Sequence, residues 1–141
     1  MTAVRRERAF VALGSNLGDR AGHLAAGRAG LAALPDTTLV AESSIEETVP
    51  LGELAQPLYL NQMVLLETGL TPRALLRGCQ EIEAGRGRTR ASRWGSRTLD
   101  LDIVKYGDRR VNDPDLVVPH PELPNRDFWL RELAELERHV A

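Results

Sequence analysis

The sequence Thr-Leu-Asp-Leu-Asp-Ile-Val, at residues 98–104, alternates between polar and apolar side chains from Thr98 to Ile103. A period of two is typical of a β-strand, whose successive side chains point to opposite faces of a sheet. Leu99, Leu101 and Ile103 therefore share one face, and Asp100 and Asp102 share the other. The strand thus has an apolar face for a core and an acidic face for chemistry.

The chain before this strand predicts five further elements from apolar periodicity and turn residues. They are a buried strand at 9–13, a helix at about 20–34, a strand at 37–47 with one solvent-exposed face, a strand at 61–68 and a helix that begins at Pro72. Asp19 is expected to cap the first helix, and Thr71 is expected to be the N-cap of the second. The helix from Pro72 carries an apolar stripe that includes Cys79.

The chain after the strand predicts a hairpin turn at 106–108, with residues 110–112 pairing back. A final helix begins at Asn125 or Asp127 and turns Leu130, Leu133 and Leu136 inward. The order β-α-β-β-α-β, then a hairpin strand and a helix, predicts an α+β sandwich. Its plan is ferredoxin-like, with helices packed on a mainly antiparallel sheet.

Composition narrows the class of protein. The 141 residues suit one domain spanning 1–141, and the net charge of -2 does not favour binding to nucleic acid or an anionic membrane. The single cysteine, Cys79, excludes an intrachain disulfide, and its helical position favours a buried core residue over a nucleophile. We find no apolar run long enough for a signal peptide or membrane span, so we expect a cytoplasmic protein.

Asp100 and Asp102 are candidates for a metal site. Their Cα atoms lie about 6.6 Å apart along an ideal strand, so both carboxylates can converge on one hard cation or on two. Mg²⁺ at nucleotide sites is usually held by one or two carboxylates, while water and phosphate supply the remaining oxygens. An ordinary solvated strand face is the alternative interpretation.

An arginine cluster immediately precedes this acidic pair. Lys105 is the only lysine among the 18 basic residues, and five arginines lie between residues 86 and 97: Arg86, Arg88, Arg90, Arg93 and Arg97. Guanidinium groups bind phosphate oxygens in bidentate fashion and stay charged at neutral pH. Beside a metal and a polyphosphate they would neutralise charge in a phosphoryl-transfer transition state. A solvated basic loop is the alternative.

Weaker signals come from isolated residues in loops. His120 lies between Pro119 and Pro121, which hold it stiffly, so it could meet a phosphate or a ribose. Tyr59, Trp94 and Phe128 lie in or beside loops, where each could stack on a planar ring or form the rim of the core.

The sequence resembles the 6-hydroxymethyl-7,8-dihydropterin pyrophosphokinase family over nearly its whole length. The most specific match is Arg-Trp-Gly-Ser-Arg-Thr-Leu-Asp-Leu-Asp-Ile at 93–103. The matching segments are 10–16, 48–52, 59–61, 87–102 and 119–130.

The resemblance implies a transfer of pyrophosphate from Mg-ATP to the pterin hydroxymethyl group, with release of AMP, by a monomer. It implies two Mg²⁺ ions held by Asp100 and Asp102, and assistance to the transfer by Arg88 and Arg97. Its further ATP-binding residues would be Gln80, Glu83, Arg90, Arg93, Trp94, Ile103, His120 and Arg126. Its pterin slot would comprise Thr48, Val49, Leu51, Tyr59, Asn61, Trp94, Asp100 and Phe128, with Tyr59 and Phe128 on either side of the ring.

Three other readings of the sequence stay open. A ferredoxin-like module with a basic loop could bind RNA or a phosphorylated partner, although the acidic pair beside the loop argues against this. Another phosphoryl or nucleotidyl transferase could use the same metal site, and only Tyr59, Asn61 and Phe128 separate it from the pterin enzyme. A catalytically dead relative is the third.

Overall fold

The computed structural model describes residues 6–49, 58–86 and 98–139. Three helices and seven strands lie within these ranges. They are β1 (Glu7–Ser15), α1 (Arg20–Ala32), β2 (Thr37–Glu42), β3 (Glu46–Thr48), β4 (Tyr59–Thr68), α2 (Pro72–Gly85), β5 (Asp100–Tyr106), β6 (Val111–Asp113), β7 (Leu116–Val118) and α3 (Asp127–His139), with a short 3-10 turn at Leu123–Asn125 before α3.

The main sheet has the strand order β2-β4-β1-β5, and every described pairing in it is antiparallel. β3 also pairs with β4, so that β2 and β3 together line one edge. The two central strands, β1 and β4, are buried along almost their whole length because both faces of the sheet are covered. The predicted α+β sandwich with a mainly antiparallel sheet is confirmed.

Each face of the sheet has its own core. α1 and α2 cover the face that carries Leu13, Val64 and Leu101, whereas α3 covers the face that carries Phe10, Met63 and Val104. Cys79 is buried in the first core, where burial raises the pKa of its thiol to about 12, as expected of a core residue. No helix in the described parts of the chain is long and apolar enough to cross a membrane.

The predicted N-terminal caps of α1 and α2 are confirmed. The carboxylate of Asp19 accepts a hydrogen bond from the Gly22 amide at 3.0 Å, and Thr71 Oγ1 accepts from Ala74 at 3.1 Å. Pro72 follows at the first position of α2, where its missing N–H costs nothing.

Two predicted strands differ from the structure. The strand expected at 37–47 is interrupted, since Ser43 turns its hydroxyl inward to accept from the Met63 amide at 2.9 Å and β3 starts only at Glu46. Residues 110–112 do not pair back onto β5. Val111–Asp113 pairs instead with Leu116–Val118 in a separate two-stranded sheet.

The prediction of which side chains of the last helix are buried is also partly wrong. Leu133 and Leu136 are buried as predicted, but Leu130 is 42% exposed and Trp129 takes the inward position. Asp127, and not Asn125, begins this helix, because residues 123–125 form a 3-10 turn.

Candidate active site

The acidic face of β5 lies beside two small residues of β1. Asp100 pairs in register with Gly14, and Asp102 pairs with Ala12. Gly14 pairs in turn with Asn61 of β4 on its other side, so Asn61, Gly14 and Asp100 form one row across three strands. A Cβ atom at Gly14 would lie 3.3 Å from Asn61 Oδ1 and 3.8 Å from the Tyr59 ring. The glycine therefore leaves room between the acidic pair and these two side chains.

The acidic pair fits Mg²⁺ by the chemistry of its donors. Both carboxylates are half-buried and face the same side of the sheet. Within the ranges that the structure describes, no group of three or more His, Cys, Asp or Glu residues surrounds a common point. A cation here would thus take its remaining oxygens from water or phosphate, which is how Mg²⁺ is usually held at nucleotide sites.

His120 is oriented by three contacts next to Asp102. Its amide donates to the Val104 carbonyl at 2.9 Å, its Nδ1 accepts from the Glu122 amide at 3.1 Å, and its ring meets Trp129 edge-on at 4.9 Å. Burial is the main cause that lowers its pKa, so the ring is neutral at neutral pH. With Nδ1 accepting, the proton lies on Nε2, which is 3.9 Å from Asp102 Oδ1. The ring offers an N–H donor beside the acidic pair.

Trp129 is the functional neighbour that sequence reasoning missed. The Arg126 guanidinium stacks over its ring at 4.3 Å from the centroid, and His120 meets the same ring. Among the residues described, Arg126 Nε is buried without a hydrogen-bond partner. The signal in the sequence was the spacing of Trp129, Leu133 and Leu136, which places the tryptophan on the buried face of a helix.

The side chain of Glu83 accepts a hydrogen bond from the main chain of the acidic strand β5. It is only 5% exposed, and its Oε2 accepts a hydrogen bond from the Leu101 amide at 2.7 Å. Leu101 stands between the two aspartates, so this bond ties α2 to the segment that presents them. The nucleotide contact expected of Glu83 stays a prediction.

The other expected nucleotide-binding residues on α2 and β5 differ in accessibility. Gln80 is exposed near the end of α2. Ile103 is 4% exposed with its side chain in the core, so only its main chain could meet a ligand.

Three of the expected pterin residues, Thr48, Tyr59 and Asn61, lie together at the β4 end of the row. Asn61 Nδ2 donates to Thr48 Oγ1, and Thr48 pairs in register with Tyr59. The side chain of Val49 is 78% exposed, and its contact with the pterin stays a prediction. Phe128 is half-buried at the start of α3 and packs against the core on the same face of the sheet, 6.3 Å from the Trp129 ring.

Six expected site residues lie outside the described residues: Leu51, Arg88, Arg90, Arg93, Trp94 and Arg97. Arg86, the first arginine of the cluster, is described, and its Nε donates to His23 Nδ1 of α1 at 3.1 Å.

Comparison with known proteins agrees with this geometry. Residues 10–138 match the model of the 7,8-dihydro-6-hydroxymethylpterin-pyrophosphokinase (HPPK) family. Proteins named 2-amino-4-hydroxy-6-hydroxymethyldihydropteridine pyrophosphokinase are similar to the chain. The one from Methylorubrum extorquens is 44% identical over 92% of this chain and 82% of its own length. Those from Haemophilus influenzae and Bacillus subtilis are 42% and 43% identical, over 91% and 94% of this chain and 80% and 79% of their own lengths. The chain belongs to the 7,8-dihydro-6-hydroxymethylpterin-pyrophosphokinase family.

Proposed function

We propose that this enzyme transfers a diphosphoryl group from ATP to the hydroxymethyl oxygen of 6-hydroxymethyl-7,8-dihydropterin, in folate biosynthesis, and releases AMP. The observation that carries the proposal is the row formed by Asn61, Gly14 and Asp100. Neighbouring strands lie about 4.8 Å apart, so the pterin edge bound at Asn61 would lie roughly 10 Å from the strand that carries Asp100. That span is suited to a pterin ring with its hydroxymethyl group directed at a phosphate.

The reaction forms one bond and breaks another at the β-phosphorus. The hydroxymethyl oxygen attacks that phosphorus, the bond to the oxygen bridging to the α-phosphate breaks, and AMP leaves with this oxygen. The hydroxyl proton passes to solvent. Positioning and charge stabilisation carry such transfers, so the chain needs no strong base.

Asp100 and Asp102 would hold magnesium, and we propose two ions. Magnesium bound there would neutralise the phosphate charge and orient the polyphosphate. The neutral ring of His120 would donate from Nε2 to a phosphate or ribose oxygen, and Arg126 would add a fixed positive charge near it. Arg88 and Arg97 are proposed to stabilise the charge that develops during transfer, with Arg90, Arg93 and Gln80 as further nucleotide contacts.

Tyr59 and Phe128 are proposed to enclose the pterin ring, while Asn61 donates to and accepts from its amide-like edge. The bond from Asn61 Nδ2 to Thr48 Oγ1 supports this, because it fixes the amide plane before substrate arrives. We also propose that residues 1–141 form one domain acting as a monomer in the cytoplasm. The family match, which spans most of the chain, supports the single domain.

The test is an assay of AMP release from ATP, run with and without the pterin and with and without Mg²⁺. AMP that forms only when both are present supports the proposal. ATP binding without pterin-dependent AMP would indicate another transferase with this metal site. A chain that binds no ATP would contradict the whole proposal.

A further inference from the structure

Glu132 is a buried acid that the proposed mechanism does not use. It is 2% exposed on the inner side of α3, and neither of its carboxyl oxygens has a hydrogen-bond donor among the described residues. An ionised carboxylate in this position would bear the full cost of desolvation. The Glu132 carboxyl is therefore expected to hold a proton, and that proton needs an acceptor nearby.

Glu46, the first residue of β3, is the polar partner that the fold provides. Its Oε1 accepts from Arg131 Nε at 3.1 Å, whereas its Oε2 is buried and, within the described chain, receives no donor. When one of two neighbouring carboxyl groups is protonated, its O–H can donate a hydrogen bond to the other, which is a carboxylate. Such a bond would supply the donor that the buried oxygens of Glu46 and Glu132 lack. Burial first, and then the hydrogen bond with Glu46, raise the pKa of Glu132 to about 9.

Among the residues that the structure describes, two other charged side chains act on Glu132. Arg131 and Glu135 are the charged neighbours on α3 itself, and Arg131 lowers the pKa of Glu132 while Glu135 raises it. The strands β2 and β4 turn apolar side chains toward this helix, among them Val40, Ala41, Met63 and Leu65. Arg131, the cation that contacts Glu46 among the described residues, is 60% exposed, so it does not replace the proton.

The pair joins two elements that carry residues of the proposed pterin slot, Thr48 on β3 and Phe128 on α3. Glu46 pairs in register with Asn61, and Thr48 follows two residues later on the same face of β3. On the helix side, Glu132 lies one turn after Phe128, on the same face of α3. A bond between the two acids therefore links the strand that carries Thr48 to the helix that carries Phe128.

A second contact, between Ser44 and Glu135, joins α3 to the segment before β3 and needs no shared proton. The Glu135 carboxylate accepts from the Ser44 amide at 3.0 Å and from the Ser44 hydroxyl at 3.3 Å. Ser44 lies just before β3, so this contact holds the same segment to α3. It offers a matched control for the acid pair.

We propose that Glu46 and Glu132 share one proton and act as a positioning pair, which holds Thr48 and Phe128 at the spacing that pterin binding requires. Loss of the shared proton places two negative charges together and separates the walls, so pterin affinity falls while the metal-binding strand is unaffected. This inference rests on the proposed function, because the slot is assigned there.

The test compares Glu132→Gln with Glu135→Gln in the full chain. The dissociation constant for 6-hydroxymethyl-7,8-dihydropterin is measured by calorimetry between pH 7 and 10, with a non-hydrolysable ATP analogue and sub-millimolar Mg²⁺. With a pKa of about 9, only about a tenth of the wild-type protein holds the proton at pH 10, so the constant rises about tenfold from its neutral value. Glu135→Gln should keep this rise. Glu132→Gln should lose it, because the amide donates to Glu46 at every pH.

Titration of the pterin itself affects both variants equally and cancels in their ratio. An equal alkaline rise in the two variants would overturn the inference. So would a rise in which the affinity for the ATP analogue falls as much as that for the pterin, since the pair should act on the pterin slot alone.

The shared proton is also followed without any ligand. The infrared carbonyl band of a protonated carboxyl should persist in the wild-type protein at pH 8, disappear above pH 10 and be absent in Glu132→Gln. Absence of that band in the wild-type protein would overturn the shared proton. A band that titrates as expected in a protein that binds no pterin would instead refute the proposed function, and with it the role of the pair in positioning the slot.

Discussion

Asp102 carries the sharpest prediction for a single residue. Replacing it with alanine removes one of the two carboxylates on the acidic face of β5, and Mg²⁺ stabilisation of transferred phosphate amounts to several kcal/mol. We expect kcat/KM for AMP release to fall by about 10³-fold. The matched control is Asp108→Ala, an exposed acid in the turn after β5, which should retain activity. Equal activity in the two variants would remove the metal assignment.

Glu132 predicts a pH dependence of stability. Its pKa is raised from 4.5 to about 9 in the folded protein, so the folded state binds the proton more tightly than the unfolded state. The free energy of unfolding should therefore fall as the pH rises from 5 toward 9, by about 1.4 kcal/mol per pH unit at most.

Urea denaturation at pH 5 and pH 8 measures this effect. Glu132→Gln should remove most of the difference, and it should be the more stable protein at pH 8 by roughly 4–5 kcal/mol. A wild-type protein equally stable at both values, with no gain from Glu132→Gln, would contradict the raised pKa.

Residue identity predicted only part of the site. Asp100, Asp102, Tyr59 and Asn61 were proposed from residue type and resemblance. The structure places Asn61 and Asp100 in one row with Gly14, and Tyr59 and Asp102 lie two residues from that row on β4 and β5. The burial of Glu132 could not be predicted, since a glutamate in an amphipathic helix is normally exposed. Glu46, with which we propose that it shares a proton, lies 86 positions away in the chain.

At the scale of elements, α2 and β5 are joined by the bond from the Leu101 amide to Glu83. Removing this acceptor leaves a buried N–H without its partner, which costs about 1–3 kcal/mol. Glu83→Ala should lower the free energy of unfolding by that amount, whereas Glu81→Ala, exposed on the same helix, should change it little. Glu83→Gln should keep most of the stability because its amide oxygen still accepts.

Chemical denaturation of the three variants measures their free energies of unfolding and so tests the contribution of this bond. A Glu83→Ala protein as stable as Glu81→Ala would show that the bond contributes nothing to the packing of α2 on β5.

Element positions were predicted well where local signals are strong, and poorly where tertiary contacts decide. Asp19, Thr71 and Pro72 mark helix starts through their own hydrogen-bonding chemistry, which needs no distant partner. The break between β2 and β3 depends on Ser43 meeting Met63 of β4. Likewise Leu130 and Trp129 differ by one position, and only docking of α3 on the sheet selects between them.

At the scale of the whole molecule, ligand binding should couple to stability through the metal. A Mg²⁺ complex of a non-hydrolysable ATP analogue binds only the folded protein, and at 100 times its dissociation constant it adds about 2.7 kcal/mol. For a domain of this size we expect Tm to rise by about 8 °C. Differential scanning fluorimetry measures the shift.

Two controls separate the metal from the nucleotide. The same analogue with EDTA should give little shift, and Asp102→Ala should give little shift even with Mg²⁺. A rise in Tm that is equal with and without the metal would contradict the proposed metal site.

The sequence alone determined the class of fold, the acidic strand and the family resemblance, because each depends on the order of residues over short spans. Period-two alternation, capping side chains and the motif at 93–103 are all local. Strand pairing and helix docking are needed to align Asn61 and Asp100 on either side of Gly14, to bring the His120 ring against Trp129, and to bury Glu132 on the inner side of α3. Asn61 lies 47 positions from Gly14 and 39 from Asp100, so no local pattern aligns them. Strand register and helix docking set these arrangements, and both follow from burying the two faces of one sheet.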